Sequence, residues 1–144
     1  MKATARGAAT PRVPIIKLYG NLIVPIPDLL SDDALEALRD EVTRRVAREG
    51  ASGVVIDGGA VEAMDSYVTR VVRDLAVTAQ LMGAHTVLAG VPVAVAITMV
   101  EMGFDLPGVA TALDLERAME LLTDLRARAR LGLADDEETL DDDE

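Results

Sequence analysis

The residue whose type and position could carry chemistry most directly is Ser66. It follows Gly58, Gly59 and a short loop, and with Asp65 it opens a stretch of apolar residues at helical spacing. A helix N-terminus presents free backbone N–H groups and partial positive charge, which stabilise an added phosphate. A phosphoserine here would carry roughly −1.5 to −2 charge beside Asp65 and would repel a partner bound at this edge. The alternative is an ordinary capping or first-turn serine.

Other catalytic arrangements have little support in the sequence. There is no cysteine, and His85 is the one histidine, which excludes thiolate sites and metal sites built on several imidazoles. No serine lies in a GxSxG motif, and no GxGxxG or Walker phosphate loop occurs. We therefore expect no enzyme activity, no metal and no cofactor, with His85 in a surface turn. An enzyme or small-ligand domain that uses Ser66 or His85 stays as an alternative.

Composition indicates one compact domain with short tails. The chain has 144 residues, of which 50% are hydrophobic but only 2% aromatic, so the core must be aliphatic. We expect a disordered arm at residues 1–12, the domain at residues 13–130, and an acidic disordered tail at residues 131–144. The net charge of −11 argues against binding to nucleic acid. No apolar run is long enough to span a membrane, so no membrane association and a cytoplasmic location are expected.

The order of apolar patterns predicts a hairpin followed by alternating helices and strands. The predicted strands are residues 13–18, 22–26, 53–57, 86–89 and 109–112, and the predicted helices begin near Ser31, Ser66, Pro92 and Asp114. Such an alternation is typical of an α/β domain. The fold class predicted is a single, small, mixed and mostly parallel sheet packed by about four helices.

The third predicted helix, Val93 to Met102, is apolar nearly all round, with Glu101 as its only charge. Such a helix is either buried in a core or covered by a partner, and the sequence leaves both alternatives open. Met99 and Met102, like Met82 before them, would suit an adaptable contact surface or would fill gaps in the core.

Six ordered motifs resemble the STAS domains of bacterial anti-sigma-factor antagonists, and among them the RsbS-type stressosome proteins. The motifs are GVVID at 53–57, MDSY at 64–67, LMGA at 81–84, VLAG at 87–90, AVAITMVEMG at 94–103 and ALDLE at 112–116. The resemblance covers roughly Val13 to Leu125. It implies a small sheet partly covered by helices, with the first helix lying apart from the others.

The resemblance also implies site residues and partners. Ser66 would be the phosphorylated residue, and Met64, Asp65 and Tyr67 would contact the partner. Thr98 matches, weakly, a position that is phosphorylated in some paralogues. The implied partners are an RsbT-like serine/threonine kinase, paralogous RsbR-like STAS proteins, further copies of the chain, and a phosphatase acting on Ser66.

The function that this resemblance implies is a non-catalytic scaffold and phospho-switch of a stress-signalling complex. The chain would sequester the kinase and release it when Ser66 is phosphorylated. A simple anti-sigma-factor antagonist, which binds an anti-sigma kinase without forming a large particle, is the alternative. The family pattern does not explain the acidic C-terminal tail.

Overall fold

The computed structural model describes residues 13–28, 30–104 and 106–132. Within them the strands are β1 (Ile16–Leu18), β2 (Asn21–Pro25), β3 (Gly53–Asp57), β4 (His85–Ala89) and β5 (Ala110–Ala112). The helices are α1 (Asp32–Glu49), α2 (Ser66–Leu81), α3 (Val93–Met102) and α4 (Leu115–Leu131). The predicted α/β fold is confirmed. The arm predicted at 1–12 and nearly all of the tail predicted at 131–144 lie outside the described residues.

The strands form one sheet in the order β1-β2-β3-β4-β5. β1 runs antiparallel to β2, and the other neighbouring pairs are parallel. Val55 in the middle of β3 lies between Ile23 of β2 and Val87 of β4. The parallel strands therefore end together at one side of the sheet, here called the carboxyl edge, and begin together at the opposite amino edge.

Alternate residues of the parallel strands face two separate cores. The larger core holds Val54 and Ile56 of β3 together with buried side chains of α1, α2 and α3. The smaller core holds Val55 and Val87 with Ala118 and Leu122 of α4. The central strands are thus buried on both faces, as their continuously apolar sequences predict.

The last helix, not the first, lies apart from the others, so the arrangement that the family resemblance implied is wrong on this point. α1, α2 and α3 share one face with the larger core, whereas α4 packs on the opposite face. The connections from β2 to β5 all step in the same direction across the sheet, and right-handed crossovers then place their helices on one face. α4 follows the last strand of the sheet, so no crossover restricts its side.

Two helices begin at the predicted capping residues, Ser31 and Asp114, whereas the cap of α2 is Asp65, the residue before Ser66. The Ser31 hydroxyl accepts a hydrogen bond from the backbone N–H of Ala34 at 3.1 Å. The side chains of Asp65 and Asp114 accept equivalent bonds from Val68 and Arg117, each at 2.9 Å. Each of these bonds satisfies one of the backbone donors that a helix leaves free in its first turn, which fixes where the helix starts.

A polar cluster at the amino edge holds α4 against the sheet. Asn21 is fully buried, and its side-chain oxygen accepts a hydrogen bond from the guanidinium of Arg126 at 2.6 Å. Gly53, the neighbour of Asn21 in β3, leaves room for this amide, since a Cβ at that position would collide with the Asn21 Oδ1 atom and crowd Leu122. The bond joins residues that are far apart in the sequence and fixes how α4 lies on the sheet.

Candidate functional site

Ser66 is the first residue of α2 and is exposed to solvent. The residue before it, Asp65, is the N-cap, so the capping role belongs to Asp65 and leaves the Ser66 hydroxyl available. The helix places Ser66 just beyond the carboxyl edge, where β3 has ended and the following loop turns back. A phosphate on this hydroxyl would meet the positive end of the helix dipole and the adjoining Asp65 carboxylate at once.

Tyr67 connects the start of α2 to α1. Its hydroxyl donates a short hydrogen bond to the carboxylate of Glu36. This hydrogen bond, followed by desolvation and by the negative charges of Glu36 and Asp32, raises the pKa of Tyr67 to about 12. Ser66 therefore stands beside a contact between two helices, near the negative charges of Asp32, Glu36 and Asp65, with Arg39 as an opposing positive charge.

A groove of about 210 Å³ opens beside the start of α2. Most of the described residues that line it are apolar, and the polar residues among them are Asp28 and Asp65. The lining residues are Ile26, Pro27, Asp28, Leu30, Leu35, Val61, Ala63, Asp65 and Val68. They come from the β2–α1 loop, α1, the β3–α2 loop and α2, and we call this feature the carboxyl-edge groove.

The two loops that form the groove are tied together and anchored from below. The backbone N–H of Glu62 donates to the carboxylate of Asp28 at 3.3 Å, which joins the β3–α2 loop to the β2–α1 loop. Met64 is buried in the larger core, with 4% of its surface exposed. The side chain of Met64 therefore holds the loop in place under Asp65 and Ser66 and does not itself form part of the surface.

The third helix resolves the two alternatives that its sequence left open, because one side of it is buried and the other is not. Val95 and Met99 enter the larger core. The α3 apolar face, defined as Val93, Ile97 and Val100, is exposed. Isolated exposed apolar side chains are ordinary, but three at helical spacing on one side of a short helix form a patch that suits a partner.

Thr98 is exposed on α3, roughly 100° around the helix axis from Ile97. Its hydroxyl donates to the carbonyl of Ala94 at 3.0 Å, one turn earlier in the helix.

Of the methionines outside α3, Met82 is 39% exposed at the end of α2. Met82 thus belongs partly to the surface, whereas Met99 fills the larger core.

His85 is not in a surface turn, as the sequence suggested, but is the half-buried first residue of β4. The turn ends at Gly83, two residues earlier, and the backbone N–H of His85 bonds to the carbonyl of Ser52 at 3.1 Å. His85 lies at the amino edge, whereas Ser66 follows the carboxyl edge, so the two do not form a nucleophile–base pair. Among residues 13–28, 30–104 and 106–132, no three acidic or histidine side chains are grouped as a metal site would require.

A STAS-domain family model matches residues 12–118. The chain therefore belongs to the STAS-domain family, as its motifs predicted. An RsbS variant from Moorella thermoacetica is 38% identical to it, with a TM-score of 0.71 and coverage of 81% of this chain and 99% of the RsbS chain. These values confirm the predicted similarity to the RsbS type.

Two further relatives extend the comparison. A chain in a structure described as the molecular architecture of the stressosome, a signal integration and transduction hub, is 39% identical, with a TM-score of 0.68 and coverage of 78% of this chain and 98% of that one. The RsbT co-antagonist protein RsbRA of Bacillus subtilis (strain 168) is 23% identical over 123 residues. Those residues make up 85% of this chain and 45% of RsbRA, so the chain spans less than half the length of that relative.

The part of the chain that the structure describes has no helix that is both long and apolar enough to cross a membrane.

Two features of the site were missed by reasoning from the sequence. Glu36 is separated from Tyr67 by 31 residues, and no local pattern connects them. The groove is formed by two loops whose proximity depends on the parallel pairing of β2 with β3.

Proposed function

We propose that the chain is a non-catalytic scaffold and phospho-switch of a stress-signalling assembly. It binds a serine kinase of the RsbT type and releases that kinase when Ser66 is phosphorylated. A phosphatase that removes the phosphate from Ser66 returns the chain to the binding state. The proposal draws on the similarity to RsbS and to the stressosome chain.

The observation that carries the proposal is the placement of Ser66. Its hydroxyl is exposed at the first position of α2, next to a capping aspartate and beside the carboxyl-edge groove. An incoming kinase can reach an exposed hydroxyl, and a free helix N-terminus accommodates the product phosphate without unfolding the helix. Modification can therefore change the surface while leaving the fold intact.

The switch would act through charge. A phosphate would add negative charge to a surface where Asp65, Glu36 and Asp32 already lie close to the start of α2. Phosphate next to acidic side chains disrupts an interface by repulsion and by the cost of desolvation. A kinase surface that fits the neutral serine, with Asp65 and Tyr67 as contacts, would then dissociate.

The kinase step is tested by incubating the protein with ATP and the switch kinase encoded nearest to it, followed by intact-mass and tandem mass spectrometry. One phosphate on Ser66 is expected, and none on Ser66→Ala. Ser31 is an internal control, because it is also an exposed serine at a helix start. A phosphate on Ser31 instead, or none while the kinase modifies another substrate, would contradict the proposal.

The release step is tested by titrating the kinase against three forms of the chain. The wild type and Ser66→Ala should bind it equally, because both are neutral at this position. Ser66→Asp should bind more weakly, since it carries part of the phosphate charge. If all three bind alike, Ser66 does not control the kinase.

The α3 apolar face supports self-association and association with paralogous STAS chains. Val93 and Val100 are 76% and 79% exposed, so most of their surface is free to be buried by another subunit. Removing that area from water favours association. Thr98 is exposed at the position directly after Ile97, so a phosphate there would lie at the border of that contact, and we assign it a secondary part in regulation.

The second candidate is a simple antagonist that binds an anti-sigma kinase without building a particle. The exposure of Ser66 fits both functions equally. The mass in solution separates them: a scaffold, mixed with its paralogous chains, forms a large species, whereas a simple antagonist stays a monomer or dimer. Analytical ultracentrifugation of the purified components measures this directly.

A further inference from the structure

The carboxyl-edge groove has a chemical character that Ser66 by itself does not explain. It combines apolar side chains with two aspartates, Asp28 and Asp65, and no lysine or arginine of residues 13–28, 30–104 and 106–132 lines it. Glu62 lies on the rim between two lining residues and is exposed. A segment that fits such a groove has small or flexible apolar side chains and carries positive charge.

The first described residues run toward the side of the sheet where this groove opens. Because β1 is antiparallel to β2, the residues before Ile16 run toward the carboxyl edge. The carbonyl of Ile15 is held by the guanidinium of Arg45 at 3.0 Å, and Val13 packs against the same core that holds Ile26 and Val61. Residues 1–12 therefore precede a fixed point on the side of the sheet where the groove opens.

The composition of residues 1–12 is complementary to the groove. They contain Lys2, Arg6 and Arg12 and no acidic residue, together with Met1, alanines and one proline. Fully extended, they reach about 40 Å, which is long enough to reach a groove that opens on the same side of the sheet. The tail at the other end is unsuited, since α4 ends beyond the amino edge and the last ten residues hold eight acidic side chains.

We propose that residues 1–12 of the chain dock in the carboxyl-edge groove. Their basic side chains lie against Asp28, Asp65 and Glu62, and their apolar side chains enter the groove between the two loops. This contact is a property of the chain alone and does not depend on the identity of any kinase.

The test measures the distance between the segment and the groove directly. The chain has no cysteine, so Ala5→Cys gives a single attachment site for a nitroxide spin label in the full-length protein. We expect the label to remove most of the amide NMR signal of the groove residues Val61, Ala63 and Val68. The signals of Gly83 at the distant amino edge should remain.

A matched label at Leu131→Cys provides the control, because Leu131 is 70% exposed and lies at the end of α4. It should leave the groove signals unchanged. Reversing the charges in Lys2→Glu/Arg6→Glu/Arg12→Glu, or raising the salt concentration, should restore the groove signals of the Ala5→Cys protein, because the attraction is partly electrostatic.

Two results would overturn the proposal. One is that the amide NMR signals of Val61, Ala63 and Val68 are as intense in the protein labelled at Ala5→Cys as in the unlabelled protein. The other is broadening that appears only between molecules, when labelled protein is mixed with isotope-enriched, unlabelled protein, since the occupant would then come from a second copy. Neither result depends on whether Ser66 is a kinase substrate, so the two proposals fail separately.

Discussion

The Tyr67 hydroxyl on α2 donates a hydrogen bond to the carboxylate of Glu36 on α1. Tyr67 directly follows Ser66, the residue proposed as the phosphorylation site. The contact bridges the first turns of two helices that both border the carboxyl-edge groove. A change of charge at Ser66 would therefore act close to the point where α1 and α2 are joined. The bond gives this region a measurable property, the pKa of Tyr67.

Replacing Glu36 by Gln should lower the pKa of Tyr67 from about 12 toward the ordinary tyrosine value of about 10. The carboxylate stabilises the neutral phenol by accepting its proton in a hydrogen bond, and it disfavours the phenolate by its charge. The measurement is an ultraviolet titration of tyrosinate in a Tyr19→Phe background, where Tyr67 is the only tyrosine. An unchanged midpoint in Glu36→Gln would show that the bond is not formed in solution.

The same bond should make stability depend on pH in a defined window. The pKa of Tyr67 is raised in the folded state, so the stabilisation is complete below the unfolded value of about 10. It is lost as the pH rises through the folded value of about 12. The difference in urea midpoint between wild type and Glu36→Gln should therefore shrink from neutral to strongly alkaline pH.

Removing the cap of α2 in Asp65→Ala should destabilise the fold by about 0.5–2 kcal/mol, because the N–H of Val68 loses its partner. Asp65→Asn should retain most of this stability, since its side-chain oxygen can accept the same hydrogen bond. Asp65→Asn keeps the capping hydrogen bond but loses the carboxylate charge. The rate at which Ser66 is phosphorylated in this variant therefore separates the effect of the cap from the effect of the charge. If Asp65→Ala and Asp65→Asn unfold at the same urea concentration as the wild type, the cap does not contribute.

Arg126→Ala should cost about 1–3 kcal/mol, because it leaves the fully buried side-chain oxygen of Asn21 without its guanidinium donor. Arg130→Ala is the control, since Arg130 is an exposed residue of the same helix and should change stability by no more than about 0.5 kcal/mol. Urea unfolding measures both. Equal losses from the two variants would mean that Arg126 acts only through its general charge.

Val100→Glu should reduce assembly while leaving the isolated domain as stable as before. The side chain is 79% exposed on the α3 apolar face, so a carboxylate is solvated in the free chain but would be buried in an assembly. Leu131→Glu introduces the same charge at a residue 70% exposed on α4 and should leave assembly unchanged. Sedimentation velocity gives the size of each species. A variant at Val100 that assembles normally would place the contact elsewhere.

Much of the local structure follows from the sequence by itself. β3 occupies the predicted residues 53–57, and α1 begins after Ser31 and ends at Gly50, whose φ of 64° suits glycine. Helix caps and turns are determined by residues within about four positions of one another, so the chain encodes them locally. The exposed position of Ser66 at a helix start could be predicted for the same reason.

Contacts between distant residues were decided only by the tertiary structure. Arg126 and Asn21 are 105 residues apart, and their pairing requires that α4 lie on the face opposite α1, α2 and α3. The apolar stripe of α4 predicts that one side of the helix is buried, but it does not indicate which face of the sheet covers that side. The parallel register of β2 and β3 likewise brings two loops together to form the groove, because register aligns residues that no local pattern connects.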